Sequence, residues 1–288
     1  MKTYKPIVLI FGILFSYFGW MAFAEPTDQA IAQADPPRSL YLFGDSWIAQ
    51  MEEDHGLITL ELAERELSEM AQVISFAESG STAEGWASDN PCTPDCVGEF
   101  SRLKNAIAAD PVPNPVVFFT LGGNDLLGKF VNGPTDTAFT EIASDYRTIL
   151  QELAQTRDDV DIVIGGYDLL NPEVDSIRCN LVLNILFGSV EPADTNPYSI
   201  QLFETLEGVA AEFENATTIN TYGSLQGSPG NPAISNWSPV EYIADCIHLN
   251  ESGYKIYLDT IFDQGLESRF SNMPQDPEIF IFLPSVRR

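Results

Sequence analysis

One pattern constrains this 288-residue chain more than any other: short β-branched or aromatic runs alternate with segments of helical spacing. Residues 40–43, 73–76, 116–121, 161–165 and, more weakly, 217–221 read as strands. Residues 56–70, 97–109, 135–157, 197–214 and 252–270 repeat their apolar positions as helices do. Strands that alternate with helices build a parallel sheet, because a parallel connection must cross over and the helix is the crossover. A sheet covered on both faces has inner strands that are apolar throughout, and 116–121 (Val-Val-Phe-Phe-Thr-Leu) fits that description. The predicted fold class is therefore α/β, a three-layer α/β/α sandwich around a central parallel sheet, flavodoxin-like in order. Ligands of such sheets bind outside the carboxyl ends of the strands. Three long segments that follow strands, 80–97, 171–196 and 222–247, read as loops on that side.

The N-terminus does not fit the alternation. Lys2 and Lys5 precede an almost wholly apolar stretch at 6–21, and Ala22-Phe23-Ala24 has the small-x-small form of a cleavage site. Residues 1–24 are predicted to be a secretory signal peptide, which places the protein in the periplasm or outside the cell. The alternative is an uncleaved anchor, since the stretch approaches spanning length. No cysteine lies near residue 24 to carry a lipid. Residues 25–37 are polar and read as a flexible leader, and 38–288 as one domain. The apolar run within the tail 277–288 is expected to pack on that domain.

Charge removes several partners. The formal net charge is −28, and the acids are spread along the chain. Nucleic acid and anionic membranes bind basic surfaces, so neither is an expected partner. Self-repulsion on this scale is relieved by salt, which points to a saline environment. The four cysteines are Cys92, Cys96, Cys179 and Cys246. An even number in an exported chain predicts disulfides. Cys92 and Cys96 sit in one turn, Pro-Cys-Thr-Pro-Asp-Cys, which leaves Cys179 to pair with Cys246. A zinc site would have only the Cys92–Cys96 spacing to build on, with no histidine nearby. No metal or organic cofactor is expected.

The chemistry starts at Gly44-Asp45-Ser46, at the end of the first predicted strand. A serine becomes nucleophilic only when a base takes its proton, and the base must be oriented by a third group. The chain has two histidines, His55 and His248. His55 stands before a helix and is expected to be exposed. Asp245 lies three residues before His248, a spacing that lets a turn bring its carboxylate to the imidazole Nδ1. Ser79-Gly80-Ser81-Thr82 follows the second strand and Gly122-Gly123-Asn124-Asp125 the third.

These four blocks, in this order across 44–248, resemble the SGNH hydrolases, also called the GDSL esterase and lipase family. The resemblance implies that Ser46 is the nucleophile, His248 the general base and Asp245 the group that orients it. It also implies an oxyanion hole made by the Ser46 N–H, the Gly80 N–H and the Asn124 side chain. Gly85 is the alternative to Gly80. Trp47 departs from the family's usual leucine, at a position that is not catalytic. Asp45 and Asp125 are expected to hold their loops by hydrogen bonds. Cys246 lies inside the catalytic turn, and its bond to Cys179 would tie the 171–196 segment to that turn. Trp86, Trp237 and Tyr242 are candidates to line the cleft. The sequons at Asn215, Asn236 and Asn250 matter only in a glycosylating host. The expected reaction is ester hydrolysis through an acyl-serine, on neutral short-chain or acetylated-carbohydrate esters. A lysophospholipase, lipase or acyltransferase would use the same residues, whereas a non-catalytic carbohydrate-binding module would lack a member of the triad.

Overall fold

Burial separates the strands into an inner and an outer set, and their residues explain the division. In the computed structural model, which describes residues 37–69, 71–91, 97–129 and 135–271, β1 (Arg38–Gly44) and β3 (Val116–Thr120) are buried along their whole length. β4 (Asp161–Gly165) is buried after its first residue. β2 (Ala71–Ser75) and β5 (Ala216–Ile219) mix buried and exposed positions. The sheet runs β2-β1-β3-β4-β5, with every pair parallel. The apolar strands are thus inside and the mixed ones at the edges, in the flavodoxin-like order.

The connections use α1 (Ser46–Ile48, continued by a π-helical stretch Ala49–Asp54) and α2 (Leu57–Glu64) after β1. α3 (Ala83–Ala87) and α4 (Glu99–Ala109) follow β2. α5 (Gly123–Lys129) and α6 (Asp136–Thr156) follow β3, and α7 (Ser176–Phe187) and α8 (Pro192–Ala210) follow β4. After β5 come α9 (Glu251–Ile261), a π-helical turn at Phe262–Leu266 and α10 (Ser268–Ser271). The chain moves one way from β1 to β2 and the other way from β2 onward. Right-handed crossovers therefore put α2 on one face and α4, α6 and α8 on the other. The contacts follow this division, with α2 against α9 and α6 against α3, α4 and α8. Between sheet and helices, Phe43 stacks on Phe119 with centroids 4.3 Å apart and meets Trp86 edge-on at 4.9 Å.

Several predicted boundaries change. Residues 80–97, read as a loop, hold α3. Residues 171–196, read as a loop, hold a 3-10 turn at Pro172–Asp175, all of α7 and the start of α8. α8 begins at Pro192, where proline suits the first turn of a helix because its missing N–H would have had no partner. Among the described residues no helix is long and apolar enough to cross a membrane. The predicted signal peptide 1–24, the leader up to residue 36, Cys92, Cys96 and the tail 277–288 lie outside the described residues.

Candidate active site

β1 and β3 lie side by side, β1 pairing also with β2 and β3 with β4, so the reversal of strand order opens a crevice above their carboxyl ends. Ser46 stands at that crevice. β1 ends at Gly44 with φ of 133°, and a Cβ there would lie 2.4 Å from the Thr120 carbonyl of β3, so only glycine lets the strands approach so closely. Asp45 then caps α1, its Oδ1 accepting the Trp47 N–H at 3.0 Å. Ser46 begins the helix, where a backbone N–H has no acceptor within the helix.

The candidate base comes from the far end of the chain. Asp245 folds its own turn, with Oδ1 accepting the Ile247 and His248 N–H groups at 2.9 Å each. An antiparallel bridge between Ile243 and Leu249 closes that turn. Asp245 Oδ2 lies 2.8 Å from His248 Nδ1, and His248 Nε2 lies 2.7 Å from Ser46 Oγ. The hydrogen bond from His248 is the main force that lowers the Asp245 carboxyl, to about 2. Asp245 is thus an anion throughout the neutral and mildly acid range. His55 is exposed and stands outside this group.

The donor blocks are fastened to β1 and to one another. The Ser81 hydroxyl donates to the Gly44 carbonyl at 2.9 Å and accepts the Trp86 indole N–H at 2.9 Å. Asn124 Nδ2 donates to the Ser81 carbonyl at 3.0 Å. An amide has two N–H donors, so one remains for a ligand. Gly80 adopts a left-handed conformation, φ 81°, in an exposed turn after β2. The Gly85 N–H instead caps α3 through Thr82 Oγ1 at 3.0 Å and is committed there. Asp125 accepts the Ala83 and Glu84 N–H groups at 2.8 and 3.3 Å, the loop-holding role expected of it.

Tyr167, which carried no signal in the sequence, is a junction of the site. Its hydroxyl donates to Asp45 Oδ2 at 2.5 Å and accepts the Gly123 N–H at 3.0 Å. Burial pushes the Asp45 carboxyl up to about 6, against the opposing hydrogen bonds from Tyr167 and the Trp47 N–H. Asp168, equally inconspicuous in the sequence, accepts the Leu169, Gly223 and Leu225 N–H groups at 2.7, 2.8 and 2.8 Å. Burial pushes its carboxyl up to about 6 as well. It pins the start of the 222–247 segment to the end of β4.

Ser46 and Asn124 face one hollow, whose walls include Leu126, Leu127, Leu170, Phe187, Leu202 and Tyr222. The aromatic residues expected at the cleft are elsewhere. Trp86 is wholly buried between Phe43 and Phe100, and Trp237 and Tyr242 are packed against the core. The predicted pair Cys179–Cys246 is joined, with Cα atoms 5.2 Å apart. It links α7, whose Phe187 lines the hollow, to the turn of Asp245 and His248. Among the described residues no group of three or more His, Cys, Asp or Glu side chains is placed to hold a metal.

Known proteins show the same arrangement of chain. A model of the GDSL-like lipase/acylhydrolase family matches residues 42–256. A candidate GDSL-like lipase from Parabacteroides merdae is 12% identical with a TM-score of 0.52, over 80% of this chain and 96% of that one. A carbohydrate esterase of family 3 from Talaromyces cellulolyticus is 11% identical with a TM-score of 0.52, over 82% of this chain and 100% of that one. At such identity these likenesses show the fold. No curated protein matches the chain.

Proposed function

The chain belongs to the GDSL-like lipase/acylhydrolase family, and we propose that it is an exported serine esterase in which Ser46, His248 and Asp245 act as nucleophile, base and orienting carboxylate. The observation that carries this reading is the relay from Ser46 Oγ to His248 Nε2, 2.7 Å, and from His248 Nδ1 to Asp245, 2.8 Å. Ser46 Oγ adds to the ester carbonyl while Nε2 takes its proton. The oxyanion is met by the Ser46 N–H, the free N–H of Asn124 and the Gly80 N–H, donors fixed before charge develops. The tetrahedral intermediate collapses, the acyl–oxygen bond breaks, and the departing alcohol takes the proton from His248. Water then repeats the sequence on the acyl-serine and releases the acid. Asp245 stays charged throughout and stabilises the imidazolium.

The walls of the hollow bear on the substrate. A leucine-rich pocket favours an apolar acyl chain, and each buried CH₂ contributes about 0.8 kcal/mol. This supports the lipase-like alternative over an acetylated sugar, whose acetyl group would bury only one methyl against those walls. Export is supported by the disulfide, since such bonds persist in oxidising compartments.

Hydrolysis of p-nitrophenyl esters of increasing acyl length tests both parts. The wild type is expected to prefer chains longer than acetyl, and Ser46→Ala to lower kcat/KM by ~10³-fold or more. Undiminished activity in Ser46→Ala would overturn the mechanism, and a preference for acetyl would overturn the acyl assignment.

A further inference from the structure

Exposed apolar side chains gather on one side of the molecule. Among the described residues the large exposed hydrophobics are Leu60, Val97, Ile177, Leu181, Val182, Ile185, Ile234 and Val240. All but Leu60 and Val97 lie in the two segments that follow β4 and β5, on the side of the strands' carboxyl ends, where Ser46 also stands. Four of them belong to α7. This helix turns Cys179, Leu183 and Phe187 inward and Ile177, Leu181 and Ile185 outward, each set repeating at i, i+4 and i+8. A helix with apolar residues on both faces, one of them in water, has an unpartnered face.

Two observations narrow what covers it. The inner face of the same helix delivers Phe187 to the apolar hollow beside Ser46, and Cys179 joins the helix to the turn of His248. The exposed face therefore belongs to the same helix that walls the proposed acyl pocket. Ile234 and Val240 are exposed in a segment that is bound just before α7, through Asn171 Nδ2 on the Ser238 carbonyl, 2.5 Å, and the Ser238 N–H on the Leu170 carbonyl, 3.3 Å. The second observation is charge. From residue 171 to residue 247 the only basic residue is Arg178, while Glu173, Asp175, Glu191 and Glu241 flank the apolar face. An anionic lipid surface meets repulsion there and a neutral one does not.

We infer that the outer face of α7, with Ile234 and Val240, is a docking surface for aggregated neutral or zwitterionic lipid, on which the enzyme sits while an acyl chain enters the hollow. The inference rests on the esterase reading above. An interface would cover Ile177, Leu181 and Ile185 and present esters beside the helix that walls the pocket.

The test compares the full chain with the triple variant Ile177→Gln, Leu181→Gln, Ile185→Gln. Glutamine keeps the helix propensity at exposed positions. Flotation with phosphatidylcholine vesicles and with vesicles containing phosphatidylglycerol measures docking. Hydrolysis of emulsified tributyrin and of dissolved p-nitrophenyl acetate separates interfacial from monomeric catalysis. The inference expects the variant to lose about tenfold or more in vesicle binding and tributyrin hydrolysis. Its p-nitrophenyl acetate activity should stay within about twofold of wild type, and phosphatidylglycerol should weaken wild-type binding. Equal flotation or equal tributyrin hydrolysis by the two proteins would overturn it. So would a wild-type dimer that the variant turns into a monomer, since a second copy would then be the occupant. If neither protein hydrolyses any ester but flotation still differs, the esterase reading fails and the docking surface stands.

Discussion

Trp47 follows the proposed nucleophile and reaches the opposite side of the site. Its indole N–H donates to the Ile247 carbonyl at 3.1 Å, inside the turn that holds His248. Its ring meets Tyr167, Tyr254 and Tyr257 edge-on at 5.2, 5.6 and 5.3 Å. One side chain thus joins the serine's helix to the histidine's turn, which a leucine at this position cannot do. Trp47→Phe keeps much of the ring packing and removes the donor. A lost hydrogen bond of about 1 kcal/mol predicts kcat lower by about 3–10-fold with KM little changed. Trp47→Leu should also destabilise the fold, by about 2–4 kcal/mol. Steady-state kinetics and urea unfolding measure both, and an unchanged kcat in Trp47→Phe would contradict the positioning role.

Among the elements, α7 is held to the turn of Asp245 and His248 by a covalent bond that closes a separation of 67 residues. Loop-closure entropy over such a length predicts about 2–4 kcal/mol of stabilisation. The double variant Cys179→Ser, Cys246→Ser should lose about that much by urea unfolding. Its esterase activity should fall too, because the turn and the Phe187 wall are released together. Full activity in the double variant would show that the turn holds itself through Asp245. α7 is also the longest of the elements that the sequence pattern does not reveal. Its residues Ser-Ile-Arg-Cys-Asn-Leu-Val-Leu-Asn-Ile-Leu-Phe are apolar on two faces, so no single stripe repeats at helical spacing and the region read as loop. β1, β3 and β4 were legible because burial on both faces demands unbroken apolar runs. Ser46, Asp245 and His248 were legible because few residues in the chain can do such chemistry and their spacing matched a known family. Tyr167 and Asp168 were not, because a single tyrosine or aspartate after a strand has no pattern until the fold brings its partners to it. Trp47 is visible in the sequence, but its hydrogen-bond partner is a carbonyl 200 residues away that only the fold brings near.

The whole molecule is shaped by its acidity. Arg65 shows the local response: it draws Glu61, Asp259, Asp263 and Glu267 around one guanidinium, at 2.5, 3.4, 2.7 and 2.5 Å. At −28 the remaining acids repel one another across the surface. Salt shortens the range of that repulsion to about 10 Å at 0.1 M and about 3 Å at 1 M. The melting temperature should therefore rise from low salt to 0.5 M NaCl, and a flat or falling curve would count against a saline setting. The pH axis has its own sign. Burial holds Asp45 and Asp168 at about 6 in the folded protein, above the ordinary 3.8, so their contribution to stability is present at low pH and lost as pH rises towards and past 6. Asp245, held at about 2, contributes stability that is present above 3.8 and lost as pH falls through 2. Together these shifts place the greatest stability at about pH 4. A melting-temperature maximum above pH 7 would contradict the assignment.

Covalent labelling tests the proposed nucleophile most directly. The full chain is incubated with a fluorophosphonate, digested, and mapped by mass spectrometry while residual esterase activity is followed. One phosphonyl group per chain is expected, on Ser46, with activity lost in step and no labelling of Ser46→Ala. Complete loss of activity with the adduct on another residue, or full activity in a chain labelled at Ser46, would contradict it.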